Sequence, residues 1–72
     1  MTQGEIEKLA AKTGNIFSRL EVRIMKDIIR RVKENGFVTA SVDWQINRLK
    51  QLGESEQTIR QLIQDALGAS DE

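Results

Sequence analysis

Between Asn15 and Glu34 the chain reads as one helix whose apolar side chains cover about half of its circumference, and that width limits what the protein can fold into. Stepping the residues by about 100° each places Leu20, Ile24, Ile28 and Val32 on one stripe and Val22, Met25 and Ile29 on a second stripe beside it. A helix with a single neighbour needs only a seam. An arc this broad must pack on two sides or face a partner. Asn15 is placed to cap the start of the helix, and the pair Asn35-Gly36 to stop it.

Three shorter helices are expected around this rod. The first runs from about Glu5 to Lys12, with Ile6, Leu9 and Ala10 on one side and Gly14 as a left-handed stop. The third runs from about Val42 to Leu52, capped by Ser41 or Thr39, with Val42, Ile46 and Leu49 inward and Gly53 at its end. The fourth runs from Ser55 as N-cap to about Leu67, with Ile59, Leu62, Ile63, Ala66 and Leu67 at helical spacing and Gly68 as the stop. Phe37, just after a glycine cap, is expected to fold back and close one end of the core, and a short β bridge is compatible with the stretch Phe37 to Ala40. Ala69 to Glu72 reads as a disordered tail. The fold class is therefore all-α, a single domain over residues 1–72 built as a small bundle of about four helices with one long central helix.

A 72-residue domain has a thin core, and with neither Cys nor His it has no disulfides and none of the usual zinc ligand sets to reinforce it. Eleven basic and eleven acidic residues cancel, so no global field draws the chain to nucleic acid or to an anionic membrane. No apolar run suggests a signal peptide or a membrane span. Without His or Cys, and with the five glycines scattered at element boundaries rather than gathered in a phosphate loop, the sequence assembles no enzyme site, and no cofactor or metal is expected.

A few residues invite a functional reading. Glu21 falls inside the apolar arc, where a carboxylate must find a cation such as Arg31 or Arg48, or reach solvent, and a structural ion pair is the expectation. Arg19, Arg23, Lys26, Arg30 and Lys33 form a basic ridge diluted by Asp27 and Glu34. The ridge reads as a solvated face, with phosphate contact as the alternative. Trp44 lies away from the inner face of its helix, at the edge of the core or as an anchor for a partner. Gln45 to Ile63 has the layout of a helix-turn-helix, which would aim Glu56, Gln57, Arg60 and Gln61 at a major groove. Leu49 at the helix crossing, and Glu54 and Glu56 at the docking end, argue against it.

One wider pattern stands out. Leu20-Glu21 with Ile24 and Asp27-Ile28-Ile29-Arg30-Arg31, then Gly36-Phe37-Val38-Thr39, then Asp43-Trp44-Gln45-Ile46 with Arg48-Leu49 and Leu52-Gly53, resembles the N-terminal region of phage minor capsid proteins of tailed phages and prophages of Gram-positive bacteria. The likeness spans about Phe17 to Ile63 and is most specific from Trp44-Gln45 to Leu52-Gly53. It implies the N-terminal module of a longer protein, in the virion and in the host bacterial cytoplasm during assembly. The implied role is structural, near the portal vertex, with no catalytic residue. The implied partners are other phage structural proteins, portal or capsid, and further copies of itself. The wide apolar arc agrees with such a role, and it assigns Val22, Met25 and Ile29, with Trp44, to the contact surface. Helix-turn-helix DNA binding is the second reading.

Overall fold

The computed structural model describes residues 2–68, within which four α-helices follow one another: α1 (Thr2–Thr13), α2 (Arg19–Asn35), α3 (Ala40–Gln51) and α4 (Glu56–Gly68). No β bridge occurs among the described residues. The expected tail from Ala69 to Glu72 lies outside them.

The helix ends follow from local chemistry. Ser18, not Asn15, caps α2: its hydroxyl accepts from Glu21 N–H at 3.2 Å, while a Glu21 carboxylate oxygen accepts from Ser18 N–H at 2.9 Å. Serine followed three residues later by glutamate satisfies two orphan amides at once, and Asn15 has no such partner at that offset. Asn15 instead donates from Nδ2 to Thr58 Oγ1 at 3.0 Å, tying the α1–α2 connection to the first turn of α4. Thr39 caps α3 through Val42 N–H, and Ser55 accepts from Thr58 N–H at 3.2 Å at the start of α4.

Gly36 stops α2 at φ +80°, a left-handed conformation that a Cβ would strain, and its N–H closes on Val32 C=O at 2.7 Å. The further bond of a Schellman cap, which would draw the next residue back over the helix, is not among the described hydrogen bonds. Phe37 consequently does not close the core; it stands 60% exposed.

α2 packs against all three other helices, and its buried face is Glu21, Met25, Ile28, Ile29 and Val32. Against it lie Ile6 and Leu9 of α1, Val42 and Leu49 of α3, and Ile59, Leu62 and Ala66 of α4. Residues four apart drift by about 40° around a helix, so the Leu20, Ile24, Ile28, Val32 stripe runs from exposed through half-buried into the core.

Of the second stripe, Met25 lies near the middle of the buried arc, Ile29 at its edge and Val22 just beyond it, half-buried. Met25 and Ile29 are 0% and 1% exposed, so in this fold they lie in the core, and the chain covers the arc at these two positions where an arc wider than its coverage was expected. Two short neighbours beside α3 are enough, because α1 and α4 both reach α2 and also touch each other.

Truncating Ile29 to Ala should cost about 2–5 kcal/mol, and Met25→Lys should abolish cooperative unfolding altogether, both read by urea titration of the helical CD signal. If Met25→Lys leaves the unfolding curve intact, the core is assigned wrongly.

Candidate interaction surface

The chain has three aromatic residues, and none belongs to the buried core. Trp44 is 71% exposed, and in the α2–α3 connection Phe37 and Val38 are exposed as well. On α3 the side chains of Val42 and Leu49 turn inward, and Trp44 stands about 150° from them around the helix. Its outward direction is fixed by a polar hub between α2 and α3. Asp27 Oδ2 accepts from Gln45 Nε2 at 2.6 Å and from Arg31 Nε at 2.9 Å, while Oδ1 pairs with Arg30. The Gln45 amide, then the two guanidinium groups, hold the Asp27 carboxyl below its ordinary pKa against the opposing effect of burial. Next to the hub a shallow cleft of about 480 Å³ is lined by Arg31, Ala40, Ser41, Trp44 and Gln45. Gln45 Oε1 is buried there without a hydrogen-bond partner.

A second, larger and open groove of about 1140 Å³ follows the outer face of α2, with Phe17, Val22 and Ile24 as its apolar part and the basic ridge along it. The ridge divides into two halves. Towards the C-terminus of α2, Arg30 pairs with Asp27 and Glu34, and Lys33 with Glu5 of α1. Towards the N-terminus, Arg19, Arg23 and Lys26 are exposed and have no ion-pair partner among the described residues.

The four residues expected at the contact surface do not share one exposed face: Met25 and Ile29 are inside, Val22 beside them is half-buried at the larger groove, and Trp44 borders the smaller one. Sequence reasoning missed Phe37 and Val38, whose exposure depends on the form of the Gly36 cap. The aliphatic make-up of the periodic stripes was the signal that left every aromatic residue without a core position.

Glu21 meets neither Arg31 nor Arg48. Its partner is Glu54, in the α3–α4 turn. Two carboxyl groups in contact share one proton, since both cannot ionise cheaply. Burial, then the hydrogen bond and charge of Glu21, raise Glu54 to about 7. The hydrogen bond from Glu54 and the Ser18 amide and hydroxyl hold Glu21 below its ordinary value, against the effect of burial. The pair braces the N-terminus of α2 against the α3–α4 turn.

Among the described residues no group of three or more His, Cys, Asp or Glu side chains is disposed to hold a metal ion, and no helix is long and apolar enough to cross a membrane. The α3-turn-α4 unit has helix-turn-helix connectivity, but Glu56 pairs with Lys50, and Gln61 donates to Asp65 of its own helix at 2.9 Å.

Fold and surface together define a small all-α module whose distinctive chemistry is on its outside: an exposed Trp44 at one cleft and a basic, partly apolar groove along its longest helix. The chain belongs to the phage minor capsid protein 2 family, which matches it over residues 1–72. No curated protein and no solved structure matches it.

The carboxyl pair gives stability a definite pH dependence. Because the folded pKa of Glu54 is raised, the folded state retains a proton that the unfolded chain releases above the ordinary glutamate range, and stability should fall as pH rises from about 4.5 towards about 7. The lowered pKa of Glu21 works in the opposite sense, adding stability above the ordinary range that is lost as pH falls through its folded value. Urea midpoints should therefore be lower at pH 8 than at pH 5. Glu54→Gln, which keeps a donor towards Glu21, should remove that decline; an unchanged decline in the variant would show that the pair does not share a proton.

Proposed function

We propose that the chain acts in the phage head as a protein-protein contact module, and that the exposed Trp44, with Phe37 and Val38 of the α2–α3 connection, forms a patch that docks onto another structural protein of the virion, portal or capsid. The observation that carries the reading is the exposure of Trp44, at 71%, in a chain whose core contains no aromatic residue. A large, stiff aromatic side chain left in water contributes nothing to folding. Buried in a partner's pocket it is the residue type most enriched among binding hot spots.

Membership of a minor capsid family supports the same conclusion, since a minor component of a shell is defined by what it attaches to. On this reading the protein resides in the virion and, during assembly, in the host bacterial cytoplasm. The patch also offers a surface for further copies of the chain. Val22 faces the other groove and takes no part in the Trp44 contact.

The single Trp makes the test direct. Mixed with the portal or major capsid protein of its own phage, the chain should co-elute at higher mass, and its Trp emission should shift to the blue. Trp44→Ala should keep the CD spectrum and melting curve while weakening association by about 2 kcal/mol or more, the scale of a hot-spot residue. Binding undiminished in Trp44→Ala with an intact fold would reject the patch as the contact.

A further inference from the structure

We propose that the N-terminal half of α2 is a second docking site, which takes an acidic amphipathic helix of another protein into the groove bordered by Arg19, Arg23 and Lys26. The proposal does not rest on the Trp44 reading, because the two surfaces line different grooves.

Three observations carry it. First, Arg19, Arg23 and Lys26 fall within about 60° of one another around the helix, on the side away from the core, and repeat at four and three residues. They span about 10 Å along the axis, or two turns. Second, they are the uncompensated half of the ridge: Arg30 and Lys33 are each neutralised by neighbouring carboxylates, and these three are not.

Third, their position is electrostatically unfavourable for the helix itself. Arg19 is its first residue and Arg23 follows a turn later, at the end where the backbone amides already present positive charge and acidic residues are preferred. The only acid in that first turn, Glu21, points inward to its capping and Glu54 contacts. Cations placed against the helix dipole without a partner lower the stability of the free chain, and an external anion reverses that cost.

The shape of the groove selects the class of anion. Phe17 and Val22, both half-buried, form an apolar wall beside the cations. A phosphate backbone has no use for that wall. The ridge is also short of cations for nucleic acid, because Asp27, Glu34 and Glu5 neutralise its continuation and the chain carries no net charge. A helix with carboxylates at i, i+4 and i+7 and aliphatic residues alongside matches both features: its acids meet the three cations over two turns, and its apolar edge covers Phe17 and Val22.

The test uses fluorescence anisotropy of three labelled probes against the full chain: a helical peptide with glutamates at i, i+4 and i+7 flanked by leucines, a scrambled peptide of the same composition, and a duplex DNA. The patterned peptide should bind, the scrambled one at least tenfold more weakly, and raising the salt should weaken binding several-fold. The double change Arg19→Glu with Arg23→Glu should abolish at least nine-tenths of the affinity while the melting temperature holds or rises, since the new acids suit the helix start. Arg60→Glu, an exposed cation on α4, and Trp44→Ala should leave peptide binding unchanged. Equal binding of patterned and scrambled peptides, no peptide binding at all, or DNA binding tighter than the peptide and lost in the same double variant would each overturn the proposal.

Discussion

The structure depends on the burial of one aliphatic arc. Met25, Ile28, Ile29 and Val32 are sealed from water by side chains from three other helices, and a chain without Cys has no disulfide to share the task. A chain this short closes such an arc only if each neighbour brings a residue to it. α1 contributes Ile6 and Leu9, α3 Val42 and Leu49, and α4 Ile59, Leu62 and Ala66. The connections are held with the same economy: the Ser18–Glu21 box sets where α2 begins, the Asn15–Thr58 bond fixes its approach over α4, and Gly36 sets where it ends.

The fully buried core contains no aromatic side chain: Phe17 packs against its edge, and Phe37 and Trp44 are left outside. That division separates stability from recognition. Aliphatic residues pack between short helices without polar atoms to satisfy, whereas a large aromatic side chain left at the surface retains its value at an interface. The Asp27–Gln45–Arg31 hub then has a definite part: it locks the rotation of α3 against α2 and with it the direction in which Trp44 projects. A contact residue held on a helix by such a network needs little ordering when a partner arrives.

The class of fold was legible in the amino-acid pattern because four amphipathic segments are separated by capping residues and glycines. Wheel angles also found Val42 and Leu49 of α3 and Ile59, Leu62 and Ala66 of α4 as inward residues, but placed Leu67 inside, where it is 41% exposed, and passed over the buried Thr58. What the pattern could not supply was coverage. A wheel reports how wide an apolar face is and says nothing of how many neighbours reach it, so Met25 and Ile29 looked available although α1 and α4 cover them. The position of Glu21 inside the arc was visible. Its partner was not, because Glu54 is distant in sequence and carries the same charge, so a search for complementary charge passes over it. Phe37 was misplaced for a local reason, since glycine permits two kinds of cap and only one folds the following residue back.

The surface of α2 shows the same separation in electrostatic form. Along one face its second half is laced by ion pairs to Asp27, Glu34 and Glu5, an arrangement that stabilises the fold and offers nothing to a visitor. Its first half has three cations where the helix dipole disfavours them and no acid to answer them. Had stability alone shaped the helix, acids would be expected at Arg19 and Arg23, as Glu21 already is for capping. Positions where a sequence breaks its own local preference without an internal compensation are those where an external group supplies the missing interaction. Read this way, α2 serves three purposes around its circumference: an aliphatic face that makes the fold, a neutralised flank that holds α1 and α3 in place, and a charged flank near its start whose counterpart lies on another molecule.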